Sequence, residues 1–244
     1  MLLPTRCPVC HAIGPAPCAG CVAGLRRAPP APSPAGLSSC RSLLRYDGPG
    51  RTLVTRFKYG NARDALPWLA DALAGLVDAG RVDAVTWVPT TPARRRERGF
   101  DQSELLASRV AARLGRPAVA LLGRRAGPPQ TGRTRAERLQ PPCFVPRRRA
   151  GPGTPARVLL VDDVMTTGAT LGAAARALLR AGVGECHGLT VARTPPGHQA
   201  PERPSDPIVT TERPEVAEFR PDPFESSTMT PPDQPQEATR WTSP

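Results

Sequence analysis

The fourteen residues from Val158 to Leu171, Val-Leu-Leu-Val-Asp-Asp-Val-Met-Thr-Thr-Gly-Ala-Thr-Leu, restrict the fold of this chain more than any other stretch. Arg157 to Val161 opens with an unbroken run of β-branched and leucine residues, the pattern of a strand buried on both faces of a parallel sheet. From Gly168 the period changes to that of a helix, with Leu171, Leu178 and Leu179 expected on one face and Gly182 as the stop. The turn between them, Met165, Thr166, Thr167, Gly168, Ala169 and Thr170, therefore aims backbone N–H groups and the positive end of a helix outward. Its small side chains let a phosphate approach, and its hydroxyls add donors. Asp162 and Asp163, just upstream, are acceptors suited to a vicinal diol, so the two subsites together fit a ribose carrying a 5′-phosphate. A receiver domain also ends its first strand in paired acids, but it needs a phosphorylatable Asp on a later buried strand. The next aspartates here, Asp206, Asp222 and Asp233, all fall in a proline-rich stretch.

Composition divides the chain of 244 residues into four segments. Residues 5–27 hold a cysteine cluster, and residues 28–36, with four prolines, read as a stiff spacer. Every periodic segment lies in 37–193. Residues 194–244 are rich in proline and acid and poor in large apolar side chains, as expected of a disordered tail. In 37–193 helical and strand patterns alternate, which predicts an α/β fold with a parallel sheet flanked by helices. Expected elements are a helix over 62–79 stopped by Gly80, a strand over 84–88, a helix over 101–114 capped by Asp101, a strand near 118–122, and a last strand over 185–192. No apolar run reaches membrane-spanning length and residues 1–4 are too short for a secretory signal, so a cytoplasmic location without membrane insertion is expected.

Cys7-Pro-Val-Cys10 and Cys18-Ala-Gly-Cys21 are two Cys-x-x-Cys pairs seven residues apart. Four thiolates at that spacing can close a tetrahedral zinc site, and such a site is structural because no position is left for substrate. Two disulfides are the alternative, disfavoured in an intracellular chain. His11 reads as a solvated neighbour of Cys10. Cys40, Cys143 and Cys186 are expected to be small buried hydrophobes, and His187 a satisfied structural residue.

The net charge is +12, and 32 of the 33 basic residues are arginine, Lys58 being the exception. Residues 194–244 carry four arginines against nine acids, a net −5, which leaves +17 on residues 1–193. Such a body attracts ligands with several phosphates, or nucleic acid. The densest run follows Val88-Pro89-Thr90-Thr91-Pro92 and comprises Arg94, Arg95, Arg96 and Arg98. Guanidinium forks match phosphate oxygens, so this loop after a strand is the expected pyrophosphate site.

In chain order, Tyr46-x-Gly48-x-x-Arg51, Phe57-Lys58-Tyr59, Val88-Pro89, Arg98-Gly99-Phe100-Asp101-Gln102, Pro129-Gln130-x-Gly132-x-x-Arg135-x-x-Arg138 and residues 158–171 resemble the ComF family. The likeness runs from about Cys7 to Arg193. It implies a type I phosphoribosyltransferase-like sheet with an N-terminal four-cysteine zinc knuckle and an association with DNA uptake in competent bacteria. It also implies phosphoribosyl pyrophosphate (PRPP) as ligand, with Asp162 and Asp163 at the ribose and Met165 to Thr170 at the 5′-phosphate. Pro89, Thr90, Thr91 and Arg94 to Arg98 would then face pyrophosphate, with Gln130, Gly132, Arg135 and Arg138 on a flexible loop and magnesium arriving with the substrate. Two positions depart from the family: Asp101 replaces the usual Asn, and Arg133-Thr134 replaces Leu-Ser. The acceptor is open, since aromatic residues make up only 4% of the chain and no base-stacking pocket is visible. The alternative is a non-catalytic PRPP sensor or a single-stranded-DNA-binding competence accessory protein, with the acidic tail available to a protein partner. Nothing in the pattern specifies an oligomeric state.

Overall fold

A computed structural model describes residues 4–59, 63–125, 142–147, 151 and 153–195. Its centre is a four-stranded, all-parallel sheet of β1 (Ser39–Arg45), β2 (Ala84–Trp87), β5 (Arg157–Met165) and β6 (Glu185–Arg193), in the order β1-β6-β5-β2. The apolar run that opens β5 is buried because the strand has a neighbour on each side and helices on each face. Leu159 and Val161 pack under α2 (Gly48–Tyr59), α3 (Leu66–Ala74) and α5 (Gln102–Leu114), together with Leu53, Phe57, Leu69, Leu73, Leu106 and Val110. Val158 and Leu160 pack on the other face against Leu171, Ala174 and Leu178 of α6 (Ala169–Arg180). Alternating residues of one strand thus feed two cores, so no polar alternation appears.

Most expected elements are present, with instructive differences. The helix of α5 is capped as its sequence dictates: the Asp101 carboxylate accepts from Ser103 N and Glu104 N, and Gly115 closes the far end at φ 63°. The helix expected over 62–79 is shorter; a 3-10 turn at Arg63–Ala65 leads into α3, which gives way at Gly75, while Gly80 lies in a second 3-10 turn capped by Asp78. Leu76 and Val77 kept the apolar period going after the helix ended because they still pack against the core. The strand expected near 118–122 is a short parallel bridge of Ala118 to Val85, followed by β3 (Leu122–Arg124), which pairs antiparallel with β4 (Phe144–Pro146). Leu179 faces outward, at 36% exposure, and α6 stops at Arg180 rather than Gly182. Cys143 is exposed, contrary to the buried role expected of it, whereas Cys186 is buried. His187 hydrogen-bonds at Nδ1 with Ser39 Oγ at 2.9 Å, while its Nε2 is buried without a hydrogen-bond partner among the described residues, so it is only half satisfied, in contrast to the satisfied role expected.

Residues of the proline-rich stretch pack on the body. Arg27 bridges Leu44 antiparallel, Arg45 N donates to Arg26 O at 2.8 Å, and Ala28 N to Leu43 O at 3.2 Å, covering the outer edge of β1. Pro34 and Ala35 lie over the start of α6, where a Cβ at Gly168 would stand 2.5 Å from Pro34 Cγ and one at Gly172 2.9 Å from Ala35 O. Residues 196–244, read as a disordered tail, lie outside the described residues.

Candidate sugar-phosphate site and cysteine knuckle

β5 runs four residues beyond the apolar stretch, and its partner β2 stops short. Val88 N still donates to Val161 O at 3.0 Å, and beyond it the chain turns away into Pro89, Thr90 and Thr91. On the other side β6 continues, pairing Thr190 with Asp162 and Arg193 with Met165. The carboxyl end of β5 is therefore flanked on one side only, and the crevice outside the carboxyl ends of the strands is where open α/β sheets bind ligands. Asp162 and Asp163 sit in the strand itself, both half-buried, rather than in the turn after it.

Each acid is met by a different helix. Asp162 Oδ1 accepts from Ser103 Oγ of α5 at 3.1 Å and from Asp163 N at 2.8 Å. Asp163 Oδ1 lies 3.0 Å from Nζ of Lys58, in the last turn of α2. Burial, then the neighbouring charge of Asp163, pushes the Asp162 carboxyl up to about 7. Burial pulls the Lys58 ammonium down, but the charge and hydrogen bond of Asp163, with help from Asp162, outweigh it and hold Lys58 above its ordinary range. Arg124 of β3 belongs to the same field: burial and the nearby Arg94 lower its pKa against the pull of Asp162 and Asp101.

The phosphate loop follows directly. Met165 is buried and anchors it from below, its carbonyl accepting from Thr194 N at 3.0 Å. Thr166 and Thr167 are exposed, Thr170 half-buried, and Thr167 Oγ1 accepts from Ala169 N at 3.3 Å. Gly168 caps α6 at φ 79°, a left-handed conformation that a side chain resists, with Pro34 pressed against the place its Cβ would occupy. Apart from Ala169 N, which Thr167 Oγ1 takes, the N–H groups of the first turn of α6 have no intrahelical acceptors, the arrangement that receives an anion.

The arginine run is itself a helix, α4 (Pro92–Arg98). Thr91 is its N-cap, accepting from Arg94 N at 3.3 Å, Pro92 takes the first helical position, and Gly99 ends it at φ 78°. These are sequence signals for a helix that the density of charge obscured. Arg94, Arg95 and Arg96 are exposed, and Arg95 pairs with Glu104 at 3.4 Å. Arg98 points elsewhere: it donates to Gln102 Oε1 at 2.9 Å and Tyr59 OH at 2.8 Å and lies 4.5 Å from the centre of the Tyr59 ring. Gln102 Nε2 in turn donates to Lys58 O at 3.1 Å, and Thr90 N donates to Asp101 Oδ2 at 2.8 Å. Arg98 and Asp101 thus fasten α2, the 88–91 turn and α5 around the acids. Gln130, Gly132, Arg135 and Arg138, on the segment joining β3 to β4, lie outside the described residues.

At the N-terminus, Cys7, Cys10, Cys18 and Cys21 gather their sulfurs within 4.8 Å of one another. A zinc ion with four Zn–S bonds sets its sulfurs about 3.8 Å apart, so the donor set fits that ion. Cys10 and Cys18 sulfurs are 3.6 Å apart. An antiparallel bridge of Arg6 to Ile13 folds the first pair, with His11 at φ 62° in the turn and its ring outside the sulfur cluster. Burial acts to raise the Cys7 thiol, but hydrogen bonds from the backbone of Cys18, Cys10 and Val9 outweigh it and bring it down to about 6; burial and the other thiols push Cys21 up. One thiolate is thus prepared by the backbone, and a cation held among the four sulfurs would relieve the crowding of the rest.

A parallel sheet with acids at its central carboxyl end and a small hydroxyl-rich loop opening the next helix defines the phosphoribosyltransferase-like class. Residues 101–220 match the family model of the phosphoribosyl transferase domain. The chain is similar to two curated competence proteins. It is 32% identical over 146 residues to competence protein ComFC of Bacillus subtilis (strain 168), covering 58% of each chain. It is likewise 32% identical over 146 residues to ComFC of Streptococcus pneumoniae (strain ATCC BAA-255 / R6), covering 59% of this chain and 63% of that one. The match thus spans about three fifths of the length of these curated relatives. Among solved structures, purine phosphoribosyltransferase of Pyrococcus horikoshii Ot3 aligns over 58% of this chain and 93% of its own at 17% identity and a TM-score of 0.34. Orotate phosphoribosyltransferase of Aeropyrum pernix aligns over 70% and 77% at 22% identity and a TM-score of 0.31.

Three features of the site went unread in the sequence: Lys58, Ser103 and the role of Arg98 as a fastener. Lys58 carried a signal as the single lysine among 33 basic residues, and Lys58 and Arg98 both fall in the motifs quoted above, but neither signal pointed to these contacts.

Proposed function

We propose that this protein binds PRPP in the crevice at the carboxyl end of β5 and transfers its phosphoribosyl group to an acceptor, releasing pyrophosphate. The observation that supports this best is the adjacency of the half-buried acid pair, Asp162 and Asp163, to the loop 165–170 at the N-terminus of α6. In this reading the loop's N–H groups and the hydroxyls of Thr166, Thr167 and Thr170 hold the 5′-phosphate. Asp162 and Asp163 accept from the ribose hydroxyls and stand near the positive charge that builds on the ring as the anomeric bond to pyrophosphate breaks. Arg94, Arg95 and Arg96 face the leaving group from α4, with the loop of Gln130 to Arg138 as a further source of donors. Arg98 serves the frame instead. Magnesium, carried by pyrophosphate and ribose oxygens rather than by a protein cage, would offset the charge of the leaving group. Everything the chain supplies is positioning and electrostatics. The test is pyrophosphate release from PRPP, measured across nucleobases and other nucleophiles; binding without release in any of them would reduce the protein to a sensor.

The cysteine knuckle, in the same reading, holds one structural zinc, whose binding energy is local folding energy. Elemental analysis under reducing conditions should give one zinc per chain and none in Cys18→Ala. Cytoplasmic residence agrees with reduced thiols and with the lack of a helix long and apolar enough to cross a membrane among the described residues.

A second reading draws on α4. Three exposed arginines on a short helix beside the site can also meet a phosphate backbone, which fits the competence naming of the relatives and a role in DNA uptake. A gel shift with single-stranded DNA that weakens steeply with salt, and weakens further in Arg94→Ala, would support it.

A further inference from the structure

Lys58 stands alone in a chain that uses arginine for its other 32 basic residues, and it is placed against one of the two acids of the sugar site. Its side chain is 18% exposed and that of Asp163 15%, so the pair is shielded from solvent. Its position is fixed from behind: Gln102 Nε2 holds the Lys58 carbonyl, and Arg98 bridges Gln102 to the ring and hydroxyl of Tyr59. The same strand shows what an arginine does to an aspartate. At the start of β5, Arg157 donates through Nη2 to Asp83 Oδ1 at 2.7 Å and through its backbone N and Nε to Oδ2 at 2.8 and 3.3 Å, taking both oxygens. Lys58, a compact point charge, meets Asp163 at Oδ1, 3.0 Å away.

We propose that Lys58 is the resident cation of the sugar site, a positioning residue that holds and neutralises Asp163 through one oxygen and leaves the other to accept a ribose hydroxyl. An ammonium does this where a guanidinium would close the carboxylate off. The inference rests on the reading of the acid pair as the ribose subsite. The other groups around the pair are Ser103, which donates to Asp162, Arg124 of β3, which lies in the field of Asp162, Asp101 and Arg94, and Tyr46, whose charge acts on Lys58. None of the cations among them forms an ion pair with Asp163, which leaves the neutralising contact to Lys58 among the described residues.

The single lysine makes the test direct. Reductive methylation with carbon-13 gives one lysine resonance besides the N-terminal amine, and its titration reads the pair in solution. In the unmodified sequence it should titrate at higher pH than in Asp163→Asn; identical titration in both would overturn the pairing. Calorimetry with ribose 5-phosphate, in buffer without added magnesium, tests the sugar role. Lys58→Arg keeps the charge and should keep the melting temperature, but lose at least tenfold in affinity. Lys58→Met should lose affinity at pH 7 and regain part of it toward pH 8.5, as the raised Asp162 carboxyl ionises. Parental affinity in Lys58→Arg, or a Lys58→Met profile that follows the parent across pH, would overturn the proposal while leaving the ribose site standing. Absence of ribose 5-phosphate binding by the parent itself would overturn the ribose reading and this role together.

Discussion

β5 carries an aspartate and a cation at each of its ends, built to opposite purposes. At its start, Arg157 closes over both oxygens of Asp83 and also donates to Gly80 O at 2.8 Å; the Arg157 contacts, side-chain hydrogen bond first, hold the Asp83 carboxyl below its usual range. The cavity beside it, about 380 Å3, is lined by Ala84, Pro117, Val119, Leu121, Leu178 and Val183, and among the described residues its one charged lining group is that already committed Asp83. Near the other end, two acids share the contacts of one ammonium and one hydroxyl, and Asp162 rises to about 7. One end satisfies its own charges and stabilises the sheet. The other leaves acceptors and helix N–H groups for a ligand to complete, which is how functional sites depart from the consistency of the rest of a fold.

Four changes test that contrast. The largest effect is expected in the loop: Thr167→Trp fills the phosphate position and should weaken both PRPP and ribose 5-phosphate by roughly tenfold or more, 1.4 kcal/mol per decade, in calorimetry. Asp83→Asn, at the other end, should leave both affinities unchanged. Next, Gly168→Ala forces a side chain into a left-handed position against Pro34 and should cost about 1–3 kcal/mol of stability in urea unfolding. Adding Pro34→Ala should recover part of that loss, and no recovery would show that the contact carries none of it. A smaller effect is expected on α4, where Arg94→Ala should weaken PRPP about threefold to tenfold at low salt and spare ribose 5-phosphate. Equal losses for both ligands would replace a pyrophosphate role with general electrostatics.

The smallest effect is in pH dependence, and its sign differs between the ends. The Asp83 carboxyl is depressed on folding, so its contribution is present above about pH 4 and is lost as pH falls through the lower folded value. The Asp162 carboxyl is raised, so the folded state holds its proton longer than the unfolded chain, and stability declines as pH rises from about 4 toward 7. Melting temperatures should therefore show a falling slope over that window which Asp162→Asn flattens, and a low-pH loss that Asp83→Asn removes. A slope unchanged in Asp162→Asn would contradict the assignment.

The sequence made the centre of the fold legible because β5 and α6 are contiguous and each residue of that stretch has a local reason to be there. The cysteine knuckle was legible for the same reason, its four donors lying within fifteen residues. The partners of the acids were not. Lys58 and Ser103 reach β5 from helices 105 and 59 residues away in sequence, and no local spacing announces contacts of that kind. The arginine run hid a capped helix, since Thr91, Pro92 and Gly99 were read as a turn carrying charge. Residues 28–36 looked like a spacer because prolines do so in isolation; their packing on Gly168 and Gly172 depends on two glycines over 130 residues later.

If the carboxyl end of β5 binds a ribose 5-phosphate bearing pyrophosphate, calorimetric titration of PRPP with magnesium into the full chain should show one site per chain. The Asp162→Asn, Asp163→Asn double variant should show none measurable, with both proteins melting cooperatively. No heat from the parent at millimolar PRPP, or equal binding by the two proteins, would contradict it.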